Sequence, residues 1–82
     1  SLDVGAYDLY MMSRHYVNQR SADALKTCIA LLNRAIERDP GYALAHAELA
    51  VAELIVTTYA AEPPAPGLER ACAAAERALA LA

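Results

Sequence analysis

Few side chains in this 82-residue chain are equipped for chemistry: His15, His46, Cys28, Cys72, ten carboxylates and seven bases. A metal centre needs three or four donors at helical or loop spacing, and His46-x-Glu48 has no further ligand at such a distance. His15 is far from it in sequence, and both histidines read as surface or groove residues. Gly5, Gly41 and Gly67 are too dispersed to form a phosphate-cradling loop. Cys28 and Cys72 fall within apolar helical stripes, where a thiol packs as a small hydrophobe, the alternatives being a disulfide, a metal site or a nucleophile. Asp8, Glu48, Glu53 and Glu62 read as solvated faces or as partners for Arg14, Arg20 or Arg70. If Glu53 is buried it must be paired or protonated, because an isolated buried carboxylate is costly. The expectation is a non-catalytic chain with no cofactor and no metal.

The composition narrows the class of partner. A net charge of −3 with dispersed bases gives no basic face for nucleic acid. No run of about 18 uncharged apolar residues and no signal peptide are evident, so a soluble, cytoplasmic segment is expected, without membrane contact. A chain this short buries only about 60–65% of its unfolded surface. Its 57% hydrophobic content is rich in alanine and only 6% aromatic, which favours closely packed helices around a thin core.

Those helices can be placed from periodicity. The first is expected over about Val4 to Asn18, with Leu9, Met12 and Tyr16 facing inward and Ser13 as their small neighbour. Ser21 is placed as the N-cap of a second helix that ends at Arg38 or Asp39, where Pro40 stops it. Its stripe of Leu25, Cys28, Ile29, Leu32, Ala35 and Ile36 is the clearest amphipathic pattern in the chain. A third helix, about Tyr42 to Thr58, is apolar nearly all round, interrupted by His46, Glu48 and Glu53. Such a helix needs cover on several sides, so an exposed apolar surface or an oligomer is expected. Glu62 to Gly67 reads as an extended loop, with Pro66 at the first position of a last helix whose Leu68, Ala71, Cys72, Ala75, Ala78 and Leu79 face inward.

The two halves echo one another. Leu9, Met12, Ser13 and Tyr16 correspond to His46, Leu49, Ala50 and Glu53, and Cys28, Leu32 and Ala35 correspond to Ala71, Ala75 and Ala78. This spacing resembles the tetratricopeptide repeat, a helical hairpin of about 34 residues that stacks on copies of itself. The resemblance implies an all-α fold of two hairpins, about 4–39 and 42–82, making four antiparallel helices in one domain and a fragment of an α-α superhelix. Tyr16 to Cys28 and Glu53 to Ala71 are longer than the repeat requires. The excess should become loop or an extra helical turn between the helices of a hairpin. Glu53 stands where the repeat prefers an aromatic, so it is expected to loosen the second hairpin or to pair with a base.

Longer runs, among them Leu31 to Ala50 and Arg70 to Leu79, resemble the tetratricopeptide region of bacterial multidomain signalling proteins. In these, a class III adenylate cyclase domain or a winged-helix transcriptional regulator domain precedes the repeats. The resembled proteins usually have glycine where Ser13 stands, and their last helix leads into an Asp-Pro that this chain lacks. The resemblance implies a segment of a longer array, with Ser1-Leu2 read as vector-derived.

What the resemblance implies for function is binding through the concave face lined by the first helix of each hairpin. With Leu9, Met12 and Tyr16 inward, Tyr7, Tyr10, Arg14, Val17 and Asn18 turn toward that face, joined by Leu44, Ala47, Val51, Leu54 and Ile55 from the second hairpin. Tyrosines offer wide contact with a polar tip, and Arg14 can hold a carboxylate bidentately. The partner is expected to be a protein or peptide segment, or the parent's own output domain. The competing reading is that the apolar strip packs on another repeat, another subunit or a neighbouring domain. An oligomerisation scaffold that pairs output domains by repeat stacking is therefore the alternative function, and self-association through exposed apolar faces is expected.

Overall fold

The computed structural model describes residues 3–59 and 64–82. Ser1, Leu2 and the first part of the Glu62–Gly67 loop, with the Glu62 carboxylate, lie outside the described residues. Four helices are present among the described residues: α1 Val4–Val17, α2 Ala22–Arg38, α3 Ala43–Tyr59 and α4 Pro64–Leu81. Each packs on the next in chain order, so α1 with α2 and α3 with α4 form two helical hairpins, joined by α2 against α3.

The caps explain where the helices begin. The Asp3 carboxylate accepts from the Ala6 amide at 2.8 Å and from Arg38 Nε at 3.0 Å, which caps α1 and ties it to the end of α2. Ser21 Oγ accepts from the Ala24 amide at 3.1 Å, the expected N-cap of α2. Between α1 and α2 the chain reverses through Arg20 in the left-handed region, φ 54°. The connection is only residues 18–21, so most of the excess between Tyr16 and Cys28 went into helix. The α4 boundary differs from expectation: the helix starts at Pro64, not at Pro66. The first four amides of a helix have no intrahelical acceptor, so prolines fit throughout that turn.

Leu25, Cys28, Leu32, Ala35 and Ser13 are completely buried and form the centre of the core with Ala6, Leu9, Tyr10 and Val17. Ser13 fits where glycine was expected because its hydroxyl folds back to donate to the Tyr10 carbonyl at 2.6 Å. The whole measures 38 × 24 × 16 Å, which leaves room for two helices in the thin direction at the usual spacing of about 8–10 Å. Every helix therefore keeps a face at the surface. The apolar α3 cannot be covered all round.

Several inward assignments are overturned. Met12 is half exposed, and Tyr10 and Val17 take the inward positions on α1. On α4 the buried stripe is Ala71 and Ala74, while Leu68, Cys72 and Leu79 face out. His46 is largely buried in the wall of a groove, with Nε2–H donating to the Pro40 carbonyl at 3.0 Å. That bond closes the α2–α3 turn. Glu53 is buried and paired, with Arg70 Nε donating to its Oε2 at 3.1 Å.

Candidate functional surface

The face proposed from the sequence is partly assembled. Tyr7, Arg14 and Asn18 are exposed on α1, spaced so that they share one side of the helix. On α3, Leu44, Ala47, Val51 and Leu54 follow each other at three- and four-residue steps and are all exposed, the three larger ones at 58%, 46% and 51%. The Glu48 charge reaches both Arg14 and Cys28. α1 reaches the turn before α3, where the Tyr10 ring packs on Tyr42.

Three of the proposed residues do not belong to that surface. Tyr10 is 6% exposed; its ring packs on Tyr42 with centroids 5.3 Å apart, and burial of that pair raises the Tyr42 pKa. Val17 lies in the core, and Ile55 packs against it. Tyr10 acts on the face only through its hydroxyl, which accepts from Arg14 Nη1 at 3.0 Å while the guanidinium carbon lies 5.8 Å from the ring centre. The hydrogen bond to Tyr10, with the nearby Glu48 charge, raises the Arg14 pKa. Arg14 is held in place with its charge fixed, in a pose from which it can meet a carboxylate.

A second feature was not legible in the sequence. The exposed edge of α3 continues into an open cleft of about 280 Å³ against α4, walled by Ala50, Val51, Leu54, Leu68, Ala71, Cys72 and Ala75. No charged residue lines it. Leu68, Cys72, Ala75 and Leu79 recur at spacings of four, three and four, which makes a separate stripe beside the buried Ala71 and Ala74. On a helix this rich in alanine the two stripes cannot be told apart by hydropathy, so both read as core.

A separate cleft between α2, α3 and α4 is charged. Asn33, His46, Leu49, Glu53, Arg70, Ala73, Ala74 and Arg77 surround about 380 Å³. Its carboxylate is already engaged by Arg70, and it serves to join α3 with α4. Among the described residues no group of three or more His, Cys, Asp or Glu side chains is placed to hold a metal ion. Cys28 is buried, its thiol pushed up to about 11 chiefly by desolvation, whereas Cys72 is exposed. No described helix is long and apolar enough to cross a membrane.

No protein-family model, curated protein or solved structure matches the chain.

Proposed function

We propose that this chain is a non-catalytic protein-interaction module, two tetratricopeptide-type hairpins from a cytoplasmic bacterial signalling protein. On this reading the parent carries a class III adenylate cyclase or a winged-helix transcriptional output domain. The module binds a partner segment, or that output domain, through the surface of α1 and α3. Coupling is mechanical: occupation shifts how the hairpins stack, and the attached domain senses the shift.

One observation carries the reading. Leu44, Val51 and Leu54 form an exposed apolar strip on α3, and Arg14 is an exposed cation on α1 held by the Tyr10 hydroxyl. Soluble monomers rarely leave such a patch bare unless something docks on it. The repeated spacing of small residues supports the hairpin type, since Ser13, Cys28, Ala35 and Ala71 are all buried between helices.

The test is direct binding of separately expressed candidate output domains to the immobilised 82-residue chain. Arg14→Ala with Leu54→Ser should weaken capture at least tenfold while the helical circular-dichroism signal stays intact. Unchanged capture removes the reading.

A further inference from the structure

The antiparallel α3 and α4 meet in a fixed register along the charged cleft. Arg70 Nε lies 3.1 Å from Glu53 Oε2, and stepping along both helices from that pair sets Leu49 against Ala74 and His46 against Arg77. All of these residues line the cleft, and Asn33 of α2 stands on its third side. Seven residues make two helical turns, about 10.5 Å, so Arg77 repeats the placement of Arg70 at the other end of the cleft. Arg70 meets a carboxylate. Arg77 meets an imidazole whose Nε2–H is already given to the Pro40 carbonyl.

No described residue supplies the missing acid. Arg77 is exposed and forms no ion pair among the described residues. The positions three and four away from it on α4 are Ala73, Ala74, Ala80 and Leu81, so no carboxylate stands where a helix would present one to it. Glu53 is the acid of the cleft wall, and it is spent on Arg70. Ala73 and Ala74 put only methyl groups between the two guanidinium-bearing positions, and about 380 Å³ is left open. Three successive helices enclose this cleft, which shares no residue with the apolar one. A hairpin stacked on the apolar cleft would not fill it.

We propose that Arg77, with the Asn33 amide, is a binding site for a carboxylate of a protein segment, an acidic side chain or a chain end. The ligand takes the place at Arg77 that Glu53 takes at Arg70. A guanidinium presents paired N–H donors that match the two oxygens of a carboxylate, and the Asn33 amide offers a further donor from α2. With Arg70 balanced by Glu53, a single negative charge completes the cleft. The site is separate from the α1 and α3 surface and does not rest on the interaction-module reading.

The probes are three acetylated tripeptides titrated into the isotope-labelled 82-residue chain and followed by NMR at the Arg77 Nε–H and the Asn33 side-chain amide. Tri-glutamate amide carries side-chain carboxylates, tri-alanine with a free C-terminus carries a chain end, and tri-glutamine amide carries neither. Saturable shifts at both groups with at least one carboxylate peptide, and none with tri-glutamine, are expected, and the peptide that responds tells a side chain from a chain end. Arg77→Gln should weaken binding about tenfold without changing stability in urea; a loss of stability in place of a loss of binding overturns the proposal. Ala73→Glu sets an acid four residues before Arg77 and should block the site to a similar degree with the helical circular-dichroism signal intact. Peptide binding undiminished in both variants overturns the proposal. Shifts of equal size at Arg14, Arg34 and Arg38 overturn it as a general attraction of acids to bases. Inorganic phosphate that binds more tightly than either carboxylate peptide overturns the choice of ligand, and the lack of any saturable response overturns the site. None of these failures touches the interaction module, which is read separately from output-domain capture by the Arg14 and Leu54 variants.

Discussion

Arg70 Nε donates to Glu53 Oε2 across 3.1 Å, and the two ends of this bond stand in different environments: the Glu53 side chain is 9% exposed and that of Arg70 49%. The pair joins α3 to α4. Removing the cation leaves a buried carboxylate without its partner, whereas removing the carboxylate leaves a guanidinium that water can reach. Arg70→Ala should therefore cost about 1–3 kcal/mol in urea unfolding. Glu53→Met, which fills the same space without charge, should cost less. Equal losses would contradict the asymmetry.

Cys28 makes the fold sensitive to alkali. Its thiol pKa is raised from 9.0 to about 11, so the folded state holds the proton after the unfolded chain has released it. Stability is then full below pH 9, falls as pH rises, and reaches its limit above pH 11, with a loss on the order of 2 kcal/mol. Tyr42, raised by burial, adds a slope of the same sign. Cys28→Ala should flatten the slope between pH 9 and 11 and leave the Tyr42 part. A thiol reagent should modify Cys72 quickly in the native chain and Cys28 only on unfolding.

The α3–α4 contact depends on Gly67. A Cβ there would run into the Thr57 side chain, a branched group whose hydroxyl also donates to the Leu54 carbonyl at 2.7 Å. Gly67→Ala would ordinarily favour a helix, but here it should destabilise by about 1–3 kcal/mol. Adding Thr57→Ala removes the obstruction and should recover most of that loss. A double variant no more stable than Gly67→Ala alone would refute the clash.

Acid should unravel α1 from its start. The Ala6 amide, then the Arg38 side chain, hold the Asp3 carboxyl below its usual value of 3.8. The lowered folded value means that its stabilisation is present above pH 3.8 and is lost as pH falls through the folded pKa. Asp3→Asn should flatten the acid limb of a pH titration of stability. Hydrogen exchange at the first turn of α1 should rise in the same range, and an acid limb identical to that of the unmodified chain would exclude this cap.

The four helices were legible because they rest on local rules. Ser21 and Asp39-Pro40 mark the ends of α2, and the stripe from Leu25 to Ala35 has one unmistakable period. Glu53 was legible as a question, paired or protonated, and the fold answers it with Arg70. The candidate surface was read less well. Tyr10 and Met12 are both large and apolar enough to face inward, and Tyr10 wins because Tyr42 stands opposite it across the hairpins.

The order of hydrophobic and polar residues by itself determined an all-α chain of two hairpins, since periodicity, caps and prolines act within a few residues; of the small residues expected between helices, Ser13, Cys28, Ala35 and Ala71 are buried and Ala50 and Ala78 only partly so. Only the tertiary structure decided which side of the nearly uniform α3 and the alanine-rich α4 would be covered. On such helices every face is apolar enough to be buried. Which one stays open depends on where the neighbouring helices run, and here Leu54, Leu68 and Cys72 are left facing the cleft.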